Sequence, residues 1–344
     1  MQVFTSLDAI PASLTRPGDF TRTVLAIGNF DGVHRGHQEI IEKVRERARL
    51  LGAQSVAVTF DPHPVRLLRP AQAPRLITPL PMRLDLLGQT GIDATVVIPF
   101  TEEFSRLSAH DFAARVLHET LRAAEVHEGD TFRFGHGAQA GTAELEQLGH
   151  ELGFAVFKHH ALTVRGFPVS SSEVRQRIAA GDMSCARALL GRPFSIRSTP
   201  ARGRGIGTRL TVPTINLARY DELVPANGVY VTRLKIGSGS GAEIFDAVTN
   251  AGNRPTFGEE SYAIESHLLN YRPIDLTEDT RLELCFLARI RPEQRFASPV
   301  DLKTQILRDV THAQRYFRLA KSIKGQRAGS QTPTPSLPGV FESH

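Results

Sequence analysis

The chain has 344 residues, enough for two domains of ordinary size, and 41% of its residues are hydrophobic and 22% charged, as in soluble globular proteins. No apolar run approaches the roughly 20 residues needed to cross a bilayer, and we expect no secretion signal, which favours a cytoplasmic protein. The formal charge of +5 is too dispersed to indicate nucleic-acid binding but is compatible with anionic nucleotides. With Cys185 and Cys285 as the only cysteines, a disulfide framework is not expected.

The first half alternates buried strands with amphipathic helices. TVLAIGNF, SVAVTF and ATVVIPF predict strands, because each is a short run rich in β-branched residues. QEIIEKVRERARLLG predicts a helix that ends at Gly52, and SAHDFAARVLHETLRAA predicts another that is capped by Ser108. Strands separated by helices indicate a parallel sheet, with ligands at the carboxyl ends of its strands.

Short strands dominate after about Phe194. GVYVTRL, EIFDAVTN, IESHLLNY and LELCFLARI are separated by turn residues, which favours a small antiparallel β-barrel. A helix is predicted over SPVDLKTQILRDVTHAQRYFRLAKSI. We therefore predict domains over 1–190 and 191–324, with a disordered Pro/Ser/Thr-rich tail over 325–344.

A phosphate-binding motif follows the first predicted strand. His34, Gly36 and His37 fall at the start of the next helix, where free backbone N–H groups attract phosphate. Imidazoles there can hydrogen-bond phosphate oxygens, and glycine permits close approach of a nucleotide. Two solvated surface histidines would give the same pattern.

Two further segments extend this motif. Asp61 and His63 follow the second strand, again at a carboxyl end. Ser170, Ser171 and Arg175 surround another helix start, in VSSSEVRQRI. Taken alone, the serines are best explained as a helix cap; together with the other motifs and Arg175 they indicate a second phosphate clamp.

The segments GNFDGVHRGH, TFDPHP, FRFG and VSSSEVRQRIAAGDMSCARALLGRPF resemble the first half of the bacterial bifunctional riboflavin kinase/FMN adenylyltransferase (FAD synthetase) family. The resemblance implies a Rossmann-like nucleotidyltransferase domain, α/β in class. The resemblance also implies catalytic roles for His34, His37 and Arg175. It implies ATP or phosphate binding by Asn29, Asp31, Gly36, Ser170 and Ser171, and flavin contacts by Asp61, His63 and Phe132.

The chain departs from the family pattern around FRFG. Thr131, Gln139 and Thr142 stand where the family has polar or charged groups, and Asp130 or His136 could compensate. These differences raise the alternative of an enzyme that retains only riboflavin kinase activity.

The second half carries its own candidate site. Gly203 and Gly207 lie in a glycine loop that could wrap phosphates or be an ordinary turn. Thr214 and Asn216 in PTIN face one side of an extended chain, and their oxygens suit Mg²⁺. Glu265 stands in an otherwise apolar strand, either paired structurally or available as a general base.

Together PTIN, PANGVY, NAGNRPTF and IESHLLNY resemble the riboflavin kinase domain of the same family, a small β-barrel with a terminal helix. The resemblance assigns Thr214 and Asn216 to Mg²⁺ and the ATP phosphates and makes Glu265 the base. It implies the substrates riboflavin, FMN and ATP. We expect a monomer or weak homo-oligomer without membrane or nucleic-acid partners. A nucleic-acid-binding protein that uses PARGRGIGTR is an alternative.

Overall fold

The computed structural model of the chain describes residues 1–10, 22–201, 214–254, 261–270, 272, 274 and 276–329. The chain divides into two compact units. The first contains Met1–Phe194 together with the segment Tyr220–Ala226, and the second contains Ser195–Arg219 and Asn227–His344. Within the described part, no helix has the length and apolar character needed to span a membrane.

The first unit is built on a parallel sheet of six strands, ordered β1-β4-β3-β2-β5-β8. This confirms the predicted α/β class. Two short antiparallel pairs, β6 with β7 and β9 with β10, lie outside the sheet. The strands of this unit are β1 (Gln2–Phe4), β2 (Thr23–Ile27), β3 (Gln54–Asp61), β4 (Ala94–Pro99), β5 (Ala123–Gly129), β6 (Arg133–Phe134), β7 (Ala140–Gly141), β8 (Ala155–His159), β9 (Thr163–Val164) and β10 (Phe167–Pro168).

Helices accompany these strands along the chain. They are α1 (Arg35–Leu51), α2 (Pro64–Leu68), α3 (Leu80–Gln89), α4 (Glu102–Ser105), α5 (Ala109–Asp111), α6 (Thr142–Leu152), α7 (Ser171–Ala180) and α8 (Met183–Leu190). The predicted first helix is confirmed as α1. Its predicted end is also confirmed, because Gly52 takes the left-handed conformation at φ 62° and donates its N–H to the Ala48 carbonyl.

The central strand β2 is buried along its whole length, because both faces of the sheet are covered. Leu25 and Ile27 belong to one core cluster, whereas Val24 and Ala26 belong to another that includes Ile41 of α1. Alternate side chains of one strand thus enter two cores. This leaves the strand ends as the part of the sheet where polar groups can gather.

The helix predicted after Ser108 starts where expected but changes type. Ser108 Oγ accepts the Asp111 N–H at 2.9 Å and so caps α5. The chain then continues as a π-helix over Phe112–Thr120, which closes with a bond from the Leu121 N–H to the Val116 carbonyl at 2.9 Å. Helical periodicity in the sequence predicts the segment but does not distinguish these two helix types.

The second unit contains a six-stranded sheet in the order β11-β16-β13-β14-β15-β12. A bridge between Pro200 and Leu217 joins the chain just after β11 to the chain just after β12, so the two ends of this order meet. The antiparallel pairings and this closure confirm the predicted small barrel. Its strands are β11 (Phe194–Ser198), β12 (Thr214–Asn216), β13 (Gly228–Ile236), β14 (Glu243–Arg254), β15 (Ser261–Leu268) and β16 (Leu282–Pro292).

The predicted terminal helix is confirmed as α9 (Pro299–Gly329). It packs Ala313 and Phe317 against Val229, Val231 and Val248 of the barrel strands. The helix continues beyond residue 325, where the sequence predicts a disordered tail, because Gln326, Arg327 and Ala328 are good helix formers. The remainder of the predicted tail, 330–344, lies outside the described residues.

Candidate functional site

Two histidines lie at the start of α1, directly after the carboxyl end of β2. His34 is the N-cap of the helix, and its Nδ1 accepts the backbone N–H of His37 at 3.3 Å. The two rings stack with centroids 3.6 Å apart and an angle of 14° between their planes. Since His34 Nδ1 is an acceptor, its proton is on Nε2, which can donate to a ligand.

His34 is buried and His37 is half-buried, and burial disfavours the charged forms of both imidazoles. It lowers the pKa of His34 to about 4, in spite of the nearby Asp31 carboxylate. Burial lowers the pKa of His37 well below its ordinary value, and the neighbouring His34 lowers it further. The pair is therefore neutral near pH 7, and it offers hydrogen bonds rather than positive charge. His37 Nδ1 is buried without a hydrogen-bond partner in the described part of the chain.

A cavity of about 300 Å³ opens beside this pair at the carboxyl ends of β2 and β5. The predicted residues that line it are His34, Gly36, His37, Phe132, Ser170 and Ser171. The structure thus brings together segments that are far apart in the chain. Thr131, one of the positions that depart from the family pattern, also lines the cavity.

Asp31 is engaged in structural contacts. Its carboxylate accepts backbone N–H groups of Ile77 at 3.0 Å and Thr78 at 2.9 Å, and Arg175 Nη2 at 2.7 Å. The Asp31 carbonyl accepts Ser171 Oγ at 2.8 Å. These bonds tie the loop before α1 to the loop before α3 and to α7. The positive charge of Arg175 is thereby paired with a buried carboxylate, and neither residue lines the cavity.

The remaining predicted residues of this unit serve as caps or end a strand. Ser170 Oγ accepts the Glu173 N–H at 3.2 Å and caps α7. His63 Nδ1 accepts the Val65 N–H at 3.3 Å and caps α2, and burial lowers the His63 pKa to about 4. Asp61 ends β3 in an exposed position, before a cis bond to Pro62. Neither Asp61 nor His63 lines the cavity.

Sequence analysis missed Arg83, the largest fully buried side chain of the described residues. Its Nη1 donates to the Asn29 carbonyl at 2.8 Å and to Thr59 Oγ1 at 3.0 Å, whereas Nε and Nη2 have no partner within the described ranges. Asn29 Oδ1 is also buried and unpartnered there. An arginine in an amphipathic helix usually indicates an exposed face, so no sequence signal pointed to this burial.

Sequence analysis also missed Glu128, which lines the cavity at the end of β5. Its Oε1 accepts the Ile27 N–H at 2.6 Å. Burial raises the pKa of this carboxyl well above its usual range. A neutral acid at this position can donate a hydrogen bond into the cavity. No strand was predicted over this segment, so no sequence signal pointed to a buried carboxyl here.

The second unit brings its predicted polar residues together on one face of the barrel sheet. In the antiparallel register, Asn216 of β12 lies directly across from Glu265 of β15, and Thr214 shares the face of Asn216. On the other side of Glu265 the register pairs it with Asn250 of β14, a residue that sequence analysis did not single out. Hydroxyl, amide and carboxylate oxygens are ligands that suit Mg²⁺. Gly203 and Gly207 lie outside the described residues.

Two family models match successive stretches of the chain. The model described as FAD synthetase matches residues 17–173, and the one described as Riboflavin kinase matches residues 190–317. A solved structure described as a macrolide-efflux protein from Streptococcus pneumoniae has a TM-score of 0.78 and 25% sequence identity. That match covers 91% of this chain and 98% of the other.

Full-length relatives carry both activities in their names. The bifunctional riboflavin kinase/FMN adenylyltransferase of Escherichia coli (strain K12) is 34% identical over 298 residues, covering 87% of this chain and 94% of that protein. The protein of the same name from Pseudomonas fluorescens is 38% identical over 291 residues, covering 84% and 91%. The chain belongs to the bifunctional riboflavin kinase/FMN adenylyltransferase family.

Proposed function

We propose that this chain phosphorylates riboflavin with ATP to give FMN and ADP, and then adenylylates FMN with ATP to give FAD and pyrophosphate. The observation that carries the proposal is the presence, in one chain, of two separate sites that fall within the two matching family models. One is the cavity beside the His34–His37 pair, and the other is the face around Asn216 and Glu265. Each has the chemistry that its step requires.

In the adenylylation step, an oxygen of the FMN phosphate attacks the α-phosphorus of ATP and pyrophosphate leaves. No side-chain nucleophile is needed. The N-terminus of α1 supplies backbone N–H groups, and His34 supplies a neutral Nε2–H for the phosphate oxygens. His37, stacked on His34, would act as a second donor as charge develops on the leaving group.

The other predicted residues of the first unit would act around this pair. Gly36 leaves the adjacent edge of the His34 ring uncovered, whereas the Cβ of any other residue would lie in van der Waals contact with the ring, at 3.4 Å. Ser170 would bind phosphate at the cavity wall through its hydroxyl and Ser171 through its backbone N–H, since the Ser171 hydroxyl already donates to the Asp31 carbonyl. Phe132 would contact the flavin. Asn29, Asp31 and Arg175 would hold the surrounding loops, with Asp61 and His63 as candidate flavin contacts beyond the cavity.

In the kinase step, Glu265 would take the proton from the 5′-hydroxyl of the riboflavin ribityl chain as that oxygen attacks the γ-phosphorus of ATP. Thr214 and Asn216 would hold Mg²⁺ and the phosphates, with Gly203 and Gly207 in the loop that covers them. Magnesium bound with ATP would neutralise phosphate charge. The register that pairs Asn216 with Glu265 supports this arrangement.

Product analysis of the purified protein with riboflavin, excess ATP and Mg²⁺ tests the proposal. We expect FMN to form first and FAD second. A Glu265→Gln variant should make FAD only from added FMN, because the base is lost while the first unit is unchanged. A His37→Ala variant should accumulate FMN. FMN as the sole product of the wild type would favour the kinase-only alternative, and no flavin product would refute both.

We also propose a cytoplasmic location, a monomer or weak homo-oligomer, and domains that follow the predicted boundaries at 190 and 324. The contact division after Phe194 supports the first boundary. Gel filtration with light scattering would test the oligomeric state. Expression of 1–190 and 191–324 as separate pieces would test whether each retains one activity.

A further inference from the structure

Four side chains from α1, β5 and β8 form one hydrogen-bonded row in the first unit, which we call the relay: Arg47, Glu125, His127 and His159. Arg47 donates to both carboxylate oxygens of Glu125, with Nε at 2.9 Å from Oε2. His127 Nε2 lies 3.3 Å from the same Oε2, and His127 Nδ1 lies 3.0 Å from His159 Nε2. His127 and His159 both line the cavity.

The positions of the protons in the relay follow from its donors and acceptors. An ionised carboxylate only accepts hydrogen bonds, so His127 must carry its proton on Nε2 to bond Glu125. The Nδ1 of neutral His127 is then an acceptor, and the proton between the two rings belongs to His159 Nε2. A neutral His159 therefore has a bare Nδ1. This atom has no hydrogen-bond partner among the residues that the structure describes.

The surroundings hold the relay in place. Only 2% of His127 is exposed, and its ring stacks on Phe157 with centroids 4.9 Å apart and planes at 17°. The Arg47 guanidinium lies 5.6 Å from the centroid of the same phenyl ring. His127 can neither rotate away from Glu125 nor reach solvent readily. Its orientation, and through it that of His159, is determined by packing as well as by hydrogen bonds.

Burial favours the neutral form of the imidazoles in the relay, whereas the Glu125 carboxylate stays ionised. Burial lowers the pKa of His127, opposed by its bond to Glu125. The hydrogen bond from Arg47 has the largest effect on Glu125: it lowers the pKa of this carboxyl and keeps it ionised.

His159 responds to groups on two other segments. Burial lowers its pKa, Lys43 of α1 also lowers it, and Glu39 of α1 and Asp130 after β5 raise it. The exposed His160 bonds Asp130 at 3.0 Å and stands outside the relay.

We propose that the relay is a positioning device that fixes His159 as a hydrogen-bond acceptor for the adenosine moiety of ATP. The donor it would take is an N–H or O–H of the ligand, either the adenine amino group or a ribose hydroxyl. This inference rests on the proposed adenylylation at the same cavity. It adds a ligand contact at His159 of β8, positioned by His127 of β5, to the phosphate contacts at the start of α1.

Nitrogen-15 NMR of the histidine side chains in the full-length protein tests the proton arrangement without turnover. At about pH 8, both His127 and His159 should be neutral with the proton on Nε2. A proton on Nδ1 of either ring would overturn the relay as described. Because this measurement needs no catalysis, it separates failure of the relay from failure of the proposed function, which would show as a wild type that forms no FAD.

Conversion of FMN to FAD by a His159→Phe variant tests the role of the acceptor. The loss of one hydrogen bond should lower kcat/KM for ATP about tenfold. Riboflavin phosphorylation should be unchanged, which reports that the second unit is unaffected, and thermal unfolding checks that the first unit is folded. The matched control is His150→Phe, which replaces an exposed histidine of α6 that does not line the cavity and should change the same constant less than about twofold.

Analogues of ATP identify the donor. Wild type should discriminate against purine riboside triphosphate if the amino group is the donor, or against 2′-deoxy- or 3′-deoxy-ATP if it is a hydroxyl. His159→Phe should lose that discrimination. Equal discrimination by wild type and variant across all three analogues would overturn the proposal.

A double-mutant cycle tests coupling along the relay. Glu125→Gln should lower kcat/KM in wild type but have no further effect in the His159→Phe background, because its influence passes through His159. An equal loss in both backgrounds would mean that Glu125 acts only on stability, and it would contradict the positioning role.

Discussion

Replacement of Asp31 with asparagine should destabilise the first unit more than any surface substitution. The Asp31 side chain is 1% exposed, and its two oxygens accept the N–H groups of Ile77 and Thr78 and the guanidinium of Arg175. Asparagine has almost the same shape but only one acceptor oxygen and no charge. The variant therefore loses at least one buried bond and leaves the Arg175 cation without its partner.

The magnitude follows from these two losses. A buried donor left unsatisfied costs about 1–3 kcal/mol, and breaking a buried ion pair costs about 3–5 kcal/mol. Arg175 is 17% exposed and can recover part of its solvation, so a total of about 3 kcal/mol is reasonable. For a unit of this size, about 2–4 °C per kcal/mol gives a fall in melting temperature of about 6–12 °C.

The assay is thermal unfolding of the full chain, followed by loss of FMN adenylylation after brief heating. Riboflavin phosphorylation after the same heating serves as the internal control for the second unit. Glu46→Gln is the matched control, since the pair between Glu46 and Lys43 is exposed, lies outside the cavity and should contribute less than about 1 kcal/mol. If Asp31→Asn and Glu46→Gln shift the transition equally, the structural role assigned to Asp31 is wrong.

Three further predictions concern the same unit. The pKa of His34 is lowered from 6.5 in the unfolded chain to about 4 in the folded protein. The contribution of neutral His34 to the free energy of unfolding is therefore complete above pH 6.5. It is lost at up to roughly 1.4 kcal/mol per pH unit as the pH falls towards 4. His34→Asn keeps a capping residue without the titration, so urea unfolding should show a flatter acid slope; an unchanged slope would contradict this reasoning. The raised pKa of Glu128 means that its stabilising contribution is lost as pH rises, so Glu128→Gln should increase the melting temperature at alkaline pH and change it little at acid pH. If the melting temperature shifts equally at both pH values, Glu128 is not a neutral acid in the folded protein. Gly149→Ala would place a Cβ 2.6 Å from the Phe154 carbonyl oxygen, and calorimetry should find a loss of about 1–3 kcal/mol, whereas an unchanged transition would exclude the clash.

Patterns within single segments predicted most of the fold. The start of α1, its end at Gly52 and the strands β2, β3 and β4 are local properties of the sequence, and all are confirmed, whereas β1, β5 and β8 were not predicted. The antiparallel barrel was likewise evident from short strands separated by turns. The extension of α9 to Gly329 was not predicted, because the composition indicated disorder from residue 325 onwards. Local propensity and periodicity thus identify elements better than their boundaries.

The contacts between distant segments could not be predicted in this way. The bond between His127 and His159 joins two strands whose separation in the chain hides it from any periodic pattern. The burial of Arg83 depends on the Asn29 carbonyl and Thr59, which approach it only in the folded unit. Asn250 came next to Glu265 through strand register, which no motif specifies.

The electrostatics of the cavity also changed the interpretation of its residues. The sequence suggested that Arg175 provides fixed positive charge for phosphate, but its guanidinium is neutralised by Asp31. Burial holds His34 and His37 neutral as well. Phosphate binding there would therefore depend on the N–H groups at the start of α1 and on neutral imidazole donors. Such dipoles are fixed before the ligand arrives, so they can stabilise developing charge without first being desolvated themselves.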